Sequence, residues 1–225
     1  VSRITIRPHQ VFMLHRTPTA AERLVSFVLP TDRTPKLLET AILVALCKAL
    51  DARHVLEIGT LYGIQTLNIA ANLPHGGHVW TLDLGDDDLT TAEMDERDRA
   101  IAQLPRDAQA EPAFAVEPWS TRVTKLTGDS TRYDFTPLQG TMNLVYVDGG
   151  HDARTVDSDT RNAFGLLDPA RPGAVVWHDD ANPLHPDVGA HLDGVGRERD
   201  VYHVGDTMLA FALNPAAAVL AAQLS

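Results

Sequence analysis

The chain has 225 residues, 44% of them hydrophobic, which suits one α/β domain with a substantial buried core. Nineteen Lys and Arg against thirty Asp and Glu leave a formal net charge of −11, and no basic cluster occurs, so nucleic acid is not an expected partner. The longest apolar runs, residues 41–47 and 216–222, are too short to span a bilayer, and no basic-then-apolar leader opens the chain, so no membrane association is expected. The single cysteine, Cys47, excludes an internal disulfide and fits a reducing, cytoplasmic compartment. Within a helical pattern it reads as a small buried hydrophobe.

Residues 1–33 carry little periodicity, with short apolar runs at 11–14 and 24–29, and suit either a lid or an oligomer contact, the latter pointing to a homo-oligomer. The remainder, 34–225, reads as the main domain. Thr34-Pro35 predicts an N-cap followed by proline at the first helical position. Leu38, Ile42, Ala45, Leu46, Ala49 and Leu50 then share one helical face, and a first strand starts at His54.

The stretch 55–66 is the centre of the chain's organisation: an apolar strand, the acid Glu57, Gly59 and Gly63 four apart, and a helical pattern over 67–73. Strand, tight turn and helix N-terminus together bring backbone amides close to a ligand. The dinucleotide fingerprint has a glycine where this chain has Leu61. The reading therefore tilts from a pyrophosphate cradle toward a ligand with an amino acid end, whose ammonium Glu57 or nearby carbonyls bind. A second strand over 78–83 ends in Asp83, which lies 24 residues after Gly59, about the spacing that places a carboxylate on ribose hydroxyls.

Residues 85–118 are polar and predict a loop with one short helix over 91–103; Asp86, Asp87 and Asp88 read as a solvated charge run rather than a cation site. Strand character returns at 123–126, before Gly128-Asp129-Ser130, and at 142–148, ending in Asp148. A helix is expected over 152–167. A fifth strand over 174–180 ends in Asp179 and Asp180, a short helix falls near 188–192, and 201–204 with 208–213 predict a closing hairpin. This order predicts a mostly parallel sheet covered on both faces, with ligands at the carboxyl ends of the strands. Glu57, Asp83, Asp129, Asp148, Asp179 and Asp180 all sit at such ends and imply one site.

These residues resemble the class I S-adenosylmethionine-dependent methyltransferases over residues 34–213. Glu57-Ile58-Gly59-x-x-x-Gly63 looks like their first motif in the form common among metal-dependent O-methyltransferases. The segments 128–130, 147–151 and 177–180 are similar in order and spacing to a bacterial branch near the enzymes of macrolide sugars and aminocoumarins and the cephalosporin hydroxylase-associated proteins. The resemblance implies a Rossmann-like, doubly wound sheet of about seven strands with helices on both faces and an antiparallel C-terminal strand. It implies that Gly59 and Gly63 let the backbone approach the methionine moiety of the cofactor, with Glu57 and Thr60 nearby. Asp83 would bind the ribose hydroxyls, and Asp129 and Ser130 the adenine edge. The metal ligands map onto Asp148, Asp179 and Asp180, the last of these at a position that is often Tyr in the bacterial branch. The segment 169–173 is longer than the usual turn before that strand. A histidine at the offset of His151 serves as base in the sugar enzymes.

The metal also has an argument of its own, because three converging carboxylates repel one another unless a cation or a proton intervenes. Oxygen ligands without thiolate select Mg²⁺ or Ca²⁺, with Mn²⁺ an option, whereas the plain alternative is a helix cap or a pair with an arginine such as Arg154. His151 follows Asp148 through Gly149-Gly150, so it can return over the strand end, and its ordinary pKa suits hydroxyl deprotonation. Its alternative is capping the next helix or pairing with Asp152. His178, next to Asp179 in a strand, is expected on the opposite face in a structural role. His9, His15, His75, His78, His185, His191 and His203 read as surface or loop residues. The expected activity is methyl transfer from S-adenosylmethionine to a hydroxyl of a small-molecule acceptor, assisted by a divalent ion. The competing readings are an accessory protein that binds the cofactor without methyl transfer and a nicotinamide-dependent dehydrogenase.

Overall fold

The computed structural model describes residues 2–15, 25–28 and 36–224. Its centre is a parallel ribbon of near-continuous apolar strands: β2 (His54–Ile58), β3 (His78–Asp83), β4 (Val123–Thr127), β5 (Leu144–Val147) and β6 (Ala174–Trp177). The hairpin β7 (Val201–Val204) and β8 (Ala210–Leu213) extends it, and β1 (Arg3–Ile6) adds an edge. The strand order is β1-β7-β8-β6-β5-β2-β3-β4, with β8 antiparallel to both neighbours and all other pairs parallel. The eighth strand, one more than expected, comes from the N-terminal segment. Its four residues are too few to show a period, and they become a strand only by pairing with β7.

Alternation along the strands sorts the core into two layers. Val55, Leu144 and Tyr146 face α2 (Leu37–Leu50), α3 (Ile64–Asn72) and the N-terminal helix α1 (Pro8–Phe12), whose Val11 is buried there. Leu56, Ile58, Val145 and Val147 face α6 (Ala153–Leu166) and α7 (Pro186–Val195). Cys47 lies in the first layer as a buried thiol. The predicted Thr34-Pro35 helix start lies outside the described residues; Lys36 occupies the N-cap of α2.

The polar segment holds two helices instead of one, α4 (Asp86–Thr91) and α5 (Glu96–Asp107), and a 3-10 turn at Ala113–Ala115. Caps and arginine bonds hold them more than a buried apolar face does, and the helix expected over 91–103 overlaps α5 and only the last residue of α4. Asp95 accepts the Asp98 amide (2.7 Å), and the Arg106 guanidinium donates to Leu84 O (2.6 Å) and Asp86 (2.7 Å). Among the described residues no helix is long and apolar enough to cross a membrane.

Strand order reverses between β2 and β5, since β3 and β4 lie on one side and β6 on the other. The carboxyl ends diverge there and leave the crevice in which ligands of such sheets bind.

Candidate active site at the carboxyl edge of the sheet

A cavity of about 530 Å³ opens at that crevice, lined by the ends of β2 to β6 and roofed by α5. It brings together Glu57, Gly59, Thr60, Asp83, Asp129, Ser130, Asp148, His151 and Asp179.

The turn after β2 is shaped by its neighbours as much as by any ligand. Gly59 has φ +96°, and a Cβ there would sit 2.0 Å from the Asp148 carbonyl oxygen. Glycine is therefore required so that the β2 turn can lie against the end of β5. Gly63, at φ +70°, would drive a Cβ into the Phe114 ring, 2.6 Å away; it does not line the cavity. Both glycines were expected to serve the cofactor directly; Gly59 lines the cavity but its missing Cβ faces protein.

Glu57 is buried, and its Oε2 accepts hydrogen bonds from the Thr66 hydroxyl and from Thr81 Oγ1 (2.7 Å). Thr81 also meets Thr60 Oγ1 at 2.6 Å. Burial pushes the Glu57 carboxyl up to about 8, against the pull of the two threonines. Asp83 accepts from the Leu84 amide (3.0 Å), and burial raises its carboxyl too. Asp129 holds its own loop, accepting from Thr131 N (2.9 Å), Thr131 Oγ1 (2.7 Å) and Arg132 Nε (3.0 Å).

At the β5 and β6 ends charged groups dominate. Asp148 Oδ2 accepts from the Tyr146 hydroxyl (3.1 Å), and its Oδ1 lies 3.3 Å from His178 Nδ1. Asp179 sits in the left-handed region at φ +61°. Its Oδ2 lies 2.8 Å from His178 Nδ1 and 3.0 Å from His151 Nε2. The His151 Nε2 is buried and, among the described residues, has no partner in hydrogen-bonding geometry, its approach to Asp179 being a charge contact off the bonding direction. His151 Nδ1 bonds Asp98 Oδ1 and its amide donates to Asp98 Oδ2, both at 2.8 Å. The His185 ring stacks on it at 3.9 Å. Burial alone would lower the His151 pKa, but Asp179 and Asp98 raise it to about 10. His178 is likewise pushed up to about 12 by Asp148, Asp179 and Glu39, despite burial. The two imidazoles hold Asp179 well below the ordinary carboxylate range, although burial opposes this.

Two expectations change here. Asp180 takes no part in the cavity lining; its fully buried carboxylate pairs with Arg3 and accepts from His203 Nδ1 (2.8 Å). This is the arginine alternative, with Arg3 in place of Arg154, which pairs with Glu93. His178 does line the cavity, because β6 ends at Trp177 and strand alternation stops before it. His185 and His203 are also engaged rather than idle surface residues. Glu39, Asp98 and Tyr146 were not anticipated. Glu39 and Asp98 are acids on helices, 139 and 53 residues before the histidines they meet, and no local pattern marks them.

Residues 56–181, more than half of the chain, match the family model described as a methyltransferase domain. The chain belongs to that family. Solved structures of similar fold include an O-methyltransferase from Bacillus cereus in complex with SAH, at 19% identity and TM-score 0.52 over 82% of this chain and 83% of the other. A putative caffeoyl-CoA O-methyltransferase from Staphylococcus aureus aligns at 12% identity and TM-score 0.53, covering 83% and 86%. The cofactor-bound Rv0187 from MTB aligns at 23% identity and TM-score 0.50, covering 82% and 83%. At these identities the likeness concerns the fold. No curated protein sequence matches the chain. Family membership sets the dehydrogenase reading aside.

Proposed function

We propose that this methyltransferase moves the methyl group of S-adenosylmethionine to a hydroxyl oxygen of a small molecule. The observation that carries the reading is one cavity with two chemically distinct ends. A hydroxyl-and-carboxyl end (Glu57, Thr60, Asp83, Ser130) adjoins a carboxylate-and-imidazole end (Asp148, Asp179, His151, His178).

The first end suits the cofactor. Glu57 would meet the methionine ammonium, whose charge favours the ionised acid, and Asp83 would accept from both ribose hydroxyls. At the second end the acceptor oxygen attacks the methyl carbon in line. The carbon–sulfur bond breaks, the sulfonium becomes a neutral thioether, and the hydroxyl proton must leave. Most of the rate then comes from holding the acceptor oxygen against the methyl group. His151 Nε2, buried and unbonded, faces this end and would receive the proton, with Asp98 holding the ring through Nδ1.

Asp148 and Asp179 would hold a divalent cation; the reading is supported by their carboxylates and a ring nitrogen of His178 lying within 4.8 Å of one another. When bound, the ion supplies orientation and acidification of the acceptor hydroxyl and takes up carboxylate charge that otherwise keeps His151 protonated.

Calorimetry with S-adenosylmethionine and its demethylated product tests the cofactor end, and formation of S-adenosylhomocysteine with a panel of phenols and sugars tests the reaction. Failure of the wild type to bind either molecule would overturn the proposal. Binding without turnover on any acceptor would favour the accessory role.

A further inference from the structure

We propose that the cation site of this cavity is a two-carboxylate, one-imidazole centre of Asp148, Asp179 and His178, and that it takes a divalent 3d metal ion such as Mn²⁺ or Co²⁺ in preference to Mg²⁺ or Ca²⁺. This deepens the metal reading above and does not depend on methyl transfer.

Asp180, the third oxygen ligand that the family pattern implies, is committed elsewhere. Its carboxylate is fully buried between Arg3 and His203, and its amide donates to Met208 O (3.0 Å). Arg3 is itself fixed by Asp193 (2.7 Å) and Gly189 O (3.1 Å). The backbone is equally confined, because a Cβ on Gly189 would lie 2.8 Å from the Asp180 carbonyl. Turning Asp180 toward the cavity would break its contacts with both Arg3 and His203 and leave the latter without its carboxylate.

His178 takes the vacated role. Its Nδ1 lies 2.8 Å from Asp179 Oδ2 and 3.3 Å from Asp148 Oδ1. Its other nitrogen, Nε2, lies 3.2 Å from Glu39 Oε2, and Glu39 is buried with Oε1 accepting from the Met208 amide (3.0 Å). A histidine that gives one N–H to a buried carboxylate and aims its other nitrogen at two further carboxylates has the outer-shell arrangement of metal-ligating imidazoles. With the proton on Nε2 alone, the Nδ1 lone pair would face two anionic oxygens, an arrangement that a cation between them relieves and that, without one, a proton on Nδ1 shared with Asp179 Oδ2 satisfies. Lys36 Nζ also lies 3.2 Å from Nε2, which permits the opposite tautomer with Nδ1–H donating to Asp179. Lys36 is more than half exposed and is 3.7 Å from Glu39, so the nearest donor for the buried Glu39 Oε2 is the imidazole.

The neighbouring group of Asp98, His151 and His185 does not form the same kind of site. Its two rings stack face to face at 3.9 Å and 28°, so their in-plane lone pairs run side by side, and Asp98 already occupies His151 Nδ1. A nitrogen donor changes selectivity at the first site. Mg²⁺ and Ca²⁺ take oxygen, whereas imidazole suits the 3d ions, whose affinity rises from Mn²⁺ through Co²⁺.

Full-length protein stripped with chelator would be titrated with Mn²⁺ by paramagnetic resonance, with Co²⁺ by visible absorption and with Mg²⁺ by calorimetry. The expected result is one Mn²⁺ or Co²⁺ per chain, bound at least tenfold more tightly than Mg²⁺. Pulsed resonance of the Mn²⁺ complex should show a coordinated nitrogen that His178→Gln removes, with at least tenfold weaker Co²⁺ binding. Asp180→Asn and Lys36→Met should leave affinity within threefold, with thermal melting confirming that each variant is folded. No Mn²⁺ or Co²⁺ binding by wild type would overturn the proposal in favour of a protonated His178. Tighter Mg²⁺ binding, loss of binding in Asp180→Asn, or no nitrogen signal would overturn it in favour of an oxygen set. S-adenosylmethionine binding, measured on the same stripped protein, fails or survives separately.

Discussion

The two ends of the cavity are built in opposite ways. The end proposed for the cofactor is local: Glu57, Thr60 and Thr66 belong to one strand–turn–helix, and Thr81 stands on the adjacent strand. Its polar groups are joined by neutral hydroxyls. The end proposed for the acceptor is assembled from distance, with Asp98 of α5 on His151, Glu39 of α2 on His178, and Arg3 of β1 turning Asp180 away. Its groups are ions that set one another's charge. A local site tolerates change elsewhere in the chain, while an assembled one depends on several elements staying docked.

The sharpest way to break the contrast is at His151. If it takes the acceptor proton, His151→Ala should lower kcat by roughly 10²–10⁴-fold with little change in S-adenosylmethionine affinity. Activity within about threefold of wild type would make the residue structural. The converse holds at the cofactor end, where Asp83→Ala should weaken cofactor binding by about ten- to a hundredfold, or roughly 1.5–3 kcal/mol. Calorimetry reads this directly, and an unchanged affinity would remove Asp83 from the cofactor site.

A finer test is Asp98→Asn, which keeps the shape of the contact on His151 but removes its charge. Asp98 and Asp179 together raise the His151 pKa to about 10, so the variant should bring the ring's titration down toward neutral pH. We expect a loss of about tenfold or less in kcat, because the ring stays hydrogen-bonded, and the rising, acid-side limb of the pH profile, where the base must lose its proton, moved to lower pH. A profile that does not move would show that Asp98 does not control His151.

The smallest expected effect concerns Asp159 of α6, behind both ends. It is fully buried, neither oxygen meets a partner in good hydrogen-bonding geometry among the described residues, and burial pushes its carboxyl up to about 7 against the pull of nearby Ser130. The folded state therefore binds this proton more tightly than the unfolded state. Stability falls as pH rises from about 4, where the unfolded acid ionises, and the penalty is complete above about 7. Asp159→Asn should raise stability by roughly 1–2 kcal/mol at pH 8, or a few degrees in Tm, and change little at pH 4. A destabilised variant at pH 8 would show that the carboxylate has a native partner.

Much of the frame was legible without coordinates. The second predicted strand matches its bounds, His78–Asp83, because Val79, Trp80 and Leu82 between a glycine turn and an acid leave little latitude. The helices of α/β units showed through their apolar faces, as Val156, Ala163 and Leu166 do on α6. Where α4 and α5 stand, held by Asp95, Arg99 and Arg106, the sequence predicts a single helix over 91–103, which overlaps α5 but misses all except the last residue of α4.

The sequence by itself determined seven of the eight strands, the order of acids along their ends and hence the edge of the sheet where the cavity opens, because period and punctuation are local properties of the chain. Which acids face the cavity was decided only by tertiary structure. Asp179 and Asp180 are adjacent, yet one points at two imidazoles and the other at an arginine 177 residues away. Strand alternation cannot assign them, since β6 has already ended and Asp179 has turned into the left-handed region. Past that point each side chain goes where a partner of opposite charge lies, and those partners, Arg3, His203, His151 and His178, are placed by the packing of the whole sheet.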